Sequence, residues 1–121
     1  MPEQTVLAFR IRHLLWACDE IEKFRKHRSY NEFYHNRMVM RTVETCFRVL
    51  WDEAHHLPMD IKSRYPDIPW DKIENVMNYF SYHYDHQEYE DLSVLIEREL
   101  PVFHKGFEKI LAEEIQDQNT Q

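Results

Sequence analysis

Glycine is almost missing from this chain. Gly106 is the single one in 121 residues, beside five prolines. That leaves too few residues able to turn at φ > 0 for a many-stranded sandwich or barrel, so an all-β fold is excluded. A multi-glycine phosphate loop is excluded on the same count, and no Gly-x-Ser-x-Gly turn occurs. Cysteine is nearly as scarce. Cys18 and Cys46 have no CxxC partner and no secretory context, and they read as two buried thiols on apolar stripes. No apolar run approaches the roughly 18 residues of a membrane span, and the start MPEQTVLAFRIR lacks a basic region followed by an apolar one. A soluble, cytoplasmic protein with no membrane partner is expected.

Basic residues are absent from one long stretch. Residues 1–64 hold 11 Lys or Arg against 9 Asp or Glu, a net +2, whereas residues 65–121 hold 4 against 13, a net −9. From residue 73 to residue 97 there is no Lys or Arg at all. Phosphate contacts supply most non-specific nucleic-acid affinity, so this local acidity disfavours RNA there, and any RNA site must take its cations from elsewhere in the chain.

What the sequence has is apolar bulk at helical spacing. With 43% hydrophobic residues and 14% aromatics, one compact domain with a real core is expected over residues 1–121, and disorder is excluded. Leu7, Ile11, Leu14, Cys18 and Ile21 recur every three or four residues and predict a first helix over about 5–27. Ser29 and Asn31 offer a turn and an N-cap. The stripe then resumes through Val39, Val43, Phe47, Leu50, Ala54 and Leu57 until Pro58, which predicts a second helix over 32–57. Pro69, with Asp67 as its cap, opens a third over 69–84, whose face is Ile73, Met77, Phe80 and Tyr84. Leu92, Leu95, Leu100, Phe103, Phe107 and Ile110 mark a fourth over 89–115, with a kink at Pro101 because proline lacks the amide donor. The expected fold is all-α, an antiparallel up-and-down bundle of four main helices.

Eight histidines raise the question of a metal. The Glu-x-x-His pairs Glu32/His35 and Glu53/His56 have di-iron spacing, but both fall on the predicted second helix, 21 residues and about 31 Å apart, so one centre cannot use both. His55/His56 and His83/His86 supply at most two ligands each. No metal and no cofactor are expected.

The run LWDEAHHLP at residues 50–58, then RYPDIPWDKIENVMNYFSYHYD and ERELPVF, resembles the HepT-like branch of the HEPN superfamily in motif order and spacing. The IPW segment ahead of a helix is its most specific part. The resemblance implies a homodimeric helical bundle whose third helix lines a cleft between subunits, here at Ile73, Asn78 and Phe80. It further implies the toxin half of a toxin–antitoxin pair, a metal-independent ribonuclease. The implied partner is a minimal nucleotidyltransferase that silences the toxin by transferring AMP to a tyrosine.

The family motif is Arg, four residues, His, one residue, Tyr. Counted from Trp70, its Arg position is Met77, its His position is Tyr82 and its Tyr position is Tyr84. A thioether offers neither charge nor donor for a phosphate, and a phenol with reference pKa of about 10 is a poor base at neutral pH. His83 lies one residue from the His position, rotated by roughly 100° on a regular helix, and serves as a substitute only after a local bulge. Tyr84 is the AMP acceptor by resemblance, or else the packed end of an apolar stripe. The leading expectation is a toxin-side partner whose ribonuclease centre has decayed or been rebuilt. The alternatives are a ribonuclease using His83 with Arg37 or Arg41 across the dimer, and a dimerisation scaffold without nucleotide chemistry.

Overall fold

A computed structural model describes residues 3–80 and 88–115. Among them the regular structure is all helical, joined by short connections: α1 Glu3–Lys26, α2 Tyr30–Tyr34, α3 Arg37–His55, α4 Met59–Arg64, α5 Trp70–Glu74, a 3₁₀ turn Val76–Phe80, α6 Glu88–Val94, a π turn Leu95–Glu99 and α7 Leu100–Glu114. No described helix is long and apolar enough to cross a membrane.

α1 lies between α3 and α7. Its stripe of Ile11, Leu14, Cys18 and Ile21 is sealed in the core, joined by Ala17. Contacts at the ends fix the direction of packing. The start of α1 meets the ends of both partners, with Arg10 Nη1 donating to Glu53 of α3 at 2.7 Å and Gln4 Nε2 donating to the Glu114 carbonyl of α7 at 3.0 Å. Farther along, His104 of α7 sits 2.8 Å from Asp19. α1 is therefore antiparallel to both.

Two asparagines cut helices that periodicity reads as continuous. Ser29 starts α2 with a full capping box, its Oγ accepting from Glu32 N at 3.2 Å while its own N–H donates to Glu32 Oε1 at 2.8 Å. The predicted 32–57 helix is nonetheless two helices. Asn36 adopts an extended backbone and its Oδ1 accepts from Val39 N at 3.1 Å, ending one helix and capping the next. The predicted 69–84 helix is corrected more strongly. The α-helix stops at Glu74, and Asn75 caps it, its backbone N–H donating to the Asp71 carbonyl at 3.1 Å and its Nδ2 to the same carbonyl at 2.8 Å. The chain continues as the tighter 3₁₀ turn through Phe80. Pro69, and not Asp67, occupies the N-cap of α5.

The effect of Pro101 is a π turn just ahead of it. Because residue 101 has no N–H, the ladder widens, and Leu100 N–H bonds the Leu95 carbonyl five residues back. Both acids of this turn hold cations from elsewhere: Glu97 takes Arg25 Nε and Glu99 takes Lys72 Nζ at 2.7 Å. α6, the π turn and α7 thereby form one continuous run over 88–114.

The segment leading to α5 is pinned on α7. Ile68 is buried over Gly106, Trp70 packs its ring 6.1 Å from Phe107, and Trp70 Nε1 donates to the Tyr65 carbonyl at 3.0 Å. The Ile-Pro-Trp sequence thus has a mechanical role: it docks the approach to α5 against α7.

Candidate functional site

Positions of the recognised motif divide between residues that are described and residues that are not. Met77 is half-buried and packs against the core, carried by the 3₁₀ turn. Tyr82, His83 and Tyr84 lie outside the described residues. Of the three residues expected to line a cleft between subunits, Ile73 and Phe80 are instead core residues of the single chain, 1% and 9% exposed. Their apolar spacing has a sufficient explanation in the contacts of α5 and the 3₁₀ turn with α3, where Phe80 meets Phe47 at 5.8 Å. Asn78 alone of the three is exposed, its Nδ2 at 3.5 Å from Asn75 Oδ1.

The polar groups near this segment are poorly suited to handling phosphate. Lys72 Nζ is bound to Glu99. The Tyr79 hydroxyl is pushed above its ordinary range, first by burial and then by the nearby Asp91, against the smaller opposing pull of Lys72. A phenol so shifted gives up its proton less readily, so even less phenolate is present to act as a base at neutral pH. Arg37 and Arg41 are exposed on the first half of α3.

Among the described residues the Glu and His weighed as metal ligands make other contacts, and the His83/His86 pair lies outside the described residues. Glu32 belongs to the capping box, and His56 Nδ1 donates to the Asp52 carbonyl at 2.8 Å. His55 stacks on Trp51 at 5.4 Å and sits 3.5 Å from Glu74, while His104 lies between Asp19 and Glu108. Among the described residues no group of three or more His, Cys, Asp or Glu is placed to hold a metal.

One cluster escaped sequence reasoning. Glu53 of α3 accepts from Arg10 at 2.7 Å and from His13 Nδ1 at 2.6 Å, and its side chain is only 12% exposed. Burial works to raise this carboxyl, but the two hydrogen bonds outweigh it and hold the group below the usual carboxylate range. The His13 ring leans on Trp16, 5.6 Å away. Beside the cluster a cavity of about 630 Å³ is lined by Leu7, Arg10, His56, Pro58, Ile61 and Arg64. The available signal was compositional: residues 4–18 contain two arginines, a histidine and no acid.

The HepT-like ribonuclease family matches residues 14–110, most of the chain. The chain belongs to that family. The match takes in the Ile-Pro-Trp anchor and the Met77 segment. Among curated proteins, this HepT-like chain is 29% identical over 121 residues to a Methanocaldococcus jannaschii protein named "Putative RNase MJ1216", covering 99% of each chain. A second protein of that organism, "Putative RNase MJ0125", is 29% identical over 111 residues, 92% of this chain and 95% of its own. "Putative RNase TTE0752" of Caldanaerobacter subterraneus is 20% identical over 104 residues, 86% of this chain and 93% of its own. No solved structure matches the chain.

Proposed function

We propose that this HepT-like protein is the toxin-side member of a toxin–antitoxin pair, a homodimer that serves as partner and AMP-acceptor substrate of a minimal nucleotidyltransferase. Its ribonuclease centre has lost the family's route of cleavage. The observation that carries the second statement is Met77. At the position where the family places a cationic fork, this chain has a half-buried thioether packed on its own core, and the nearest stretch of sequence supplies no replacement cation.

In this reading Tyr84 is the acceptor. Its phenolic oxygen attacks the α-phosphorus of ATP, the bond to the β-phosphate breaks, pyrophosphate leaves, and the phenolic proton passes to a base of the transferase. The test is to incubate the purified chain with ATP and a minimal nucleotidyltransferase encoded beside its gene, followed by mass spectrometry. The expected result is a single AMP adduct on Tyr84 that disappears in Tyr84→Phe, and no metal-independent cleavage of RNA by the unmodified protein. Efficient cleavage abolished by His83→Ala would overturn the loss of the centre, and absence of any adduct would overturn the acceptor role.

A further inference from the structure

Two large rings stand in water on the outer face of α1. Phe9 is 74% exposed and Trp16 is 47% exposed. Seven residues separate them, two helical turns, which places both rings on one face about 10.5 Å apart along the axis. Between them lies His13, which rests against Trp16 and is oriented through Nδ1 by Glu53; Nε2 makes no hydrogen bond to a described residue. Arg12 is exposed on the same face and makes no hydrogen bond or ion pair among the described residues. Arg10 borders it, with one guanidinium nitrogen committed to Glu53.

Charge separates this face from the rest of the molecule. The protein carries a net −7, yet residues 4–18 contain no acid. The carboxylate beneath the face, Glu53, is matched by two donors; of the next acids along the helix, Asp19 is bonded to His104 at 2.8 Å and Glu20 is paired with Lys23 at 3.4 Å. The segment that bears the degenerate motif has the opposite character, with no Lys or Arg from residue 73 to residue 97. Basic groups and exposed rings therefore coincide on this face of α1.

We propose that the outer face of α1 binds single-stranded RNA, with Phe9 and Trp16 each stacking an unpaired base and Arg12, Arg10 and His13 meeting the phosphodiester between them. Every base offers a π-face to an exposed ring, so such a surface is tolerant of sequence, and it selects single strands because bases in a duplex are not free to stack on it. Two separated rings with basic groups between them differ from the continuous apolar ridge that a helix offers to a protein groove. The membership of a ribonuclease family makes RNA the strand in question. The inference does not depend on Tyr84 or on its modification.

The test is fluorescence anisotropy with a short labelled oligouridylate at low salt, on the full chain and its variants. Phe9→Ala and Trp16→Ala are each expected to weaken binding by at least about fivefold, the lower end of what loss of one stacked base costs. Arg12→Glu should weaken binding and flatten its salt dependence. Arg48→Glu, on the exposed side of α3, should leave it unchanged. Both rings are solvent-facing, so their removal should leave the circular dichroism spectrum and melting temperature intact. No measurable binding, equal affinity for a fully paired duplex, or affinity untouched by the Phe9→Ala/Trp16→Ala double variant would overturn the proposal. A change in oligomeric state on that double variant, with RNA binding intact, would assign the face to a protein contact instead.

Discussion

Ile68 stands where a side chain on Gly106 would have to go: a Cβ at residue 106 would fall 2.3 Å from Ile68 Cγ1 and 2.6 Å from Cδ1. Gly106 is in the middle of α7, where glycine is ordinarily a liability of about 0.5–1 kcal/mol against alanine. Here close approach is the reason for it, because the segment that introduces α5 is pressed onto α7 at this point.

Gly106→Ala is accordingly expected to lower stability despite its better helix propensity, by about 1–3 kcal/mol as the overpacked contact relaxes. Chemical denaturation of the single variants and of Gly106→Ala/Ile68→Ala measures it. The double variant should be more stable than the sum of the single effects, because removing the isoleucine branch relieves the clash.

Glu53 should make stability acid-sensitive. Its folded-state pKa lies below the ordinary carboxylate value of about 4.3. The contribution is therefore fully present above that value and is lost as pH falls through the lower, folded pKa. Glu53→Gln should destabilise the protein by about 1 kcal/mol at neutral pH, since Arg10 and His13 are both partly solvated. The difference from the parent should shrink as the buffer is taken below the carboxylate range, as read by urea unfolding across pH.

Arg25 reaches across to Glu97, which also accepts from the buried Tyr34 hydroxyl at 3.3 Å. Burial, reinforced by Glu97, pushes that phenol above its usual range, so it stays protonated and able to donate. Glu97→Ala should cost about 1 kcal/mol, a modest figure because Glu97 is itself half solvated. Double-mutant cycles with Arg25→Ala and Tyr34→Phe would separate the two contacts.

The thiols should be inert. Burial, the largest cause in both, pushes the Cys46 thiol up to about 11 and the more deeply buried Cys18 higher still. Iodoacetamide at neutral pH should label neither cysteine in the native protein and both after denaturation.

The proposed loss of cleavage at the family motif has a direct reversal. Met77→Arg alone and Tyr82→His alone should each remain without activity, since one supplies only the phosphate fork and the other only the proton shuttle. The double variant should gain metal-independent RNA cleavage, followed on a labelled substrate in the presence of a chelator.

Much of this fold is written locally. The first helix follows from the spacing of Leu7 through Ile21, the capping box from Ser29 and Glu32, and the irregularity before α7 from Pro101. The interruptions at Asn36 and Asn75 are harder to read. An asparagine side chain breaks a helix only when its oxygen or amide finds a backbone partner, and the same residue elsewhere sits harmlessly on a helix surface. Family membership was legible as a pattern of types, in the Ile-Pro-Trp segment and the residues around it. The placement of Ile73 and Phe80 was not, because a period of three to four residues looks the same whether the stripe faces the chain's own core or a neighbour.

By itself, the sequence determined an all-helical chain with a divided charge and the run of residues that marks its family, since those are properties of residue type and spacing. Only the tertiary structure decided that Glu53 leaves its apparent partner His56 for Arg10 and His13, that Gly106 exists to admit Ile68, and that Phe9 and Trp16 stay in solvent. Each depends on which helices come together, and a carboxylate, a missing Cβ or an exposed ring acquires its role only from what is packed beside it.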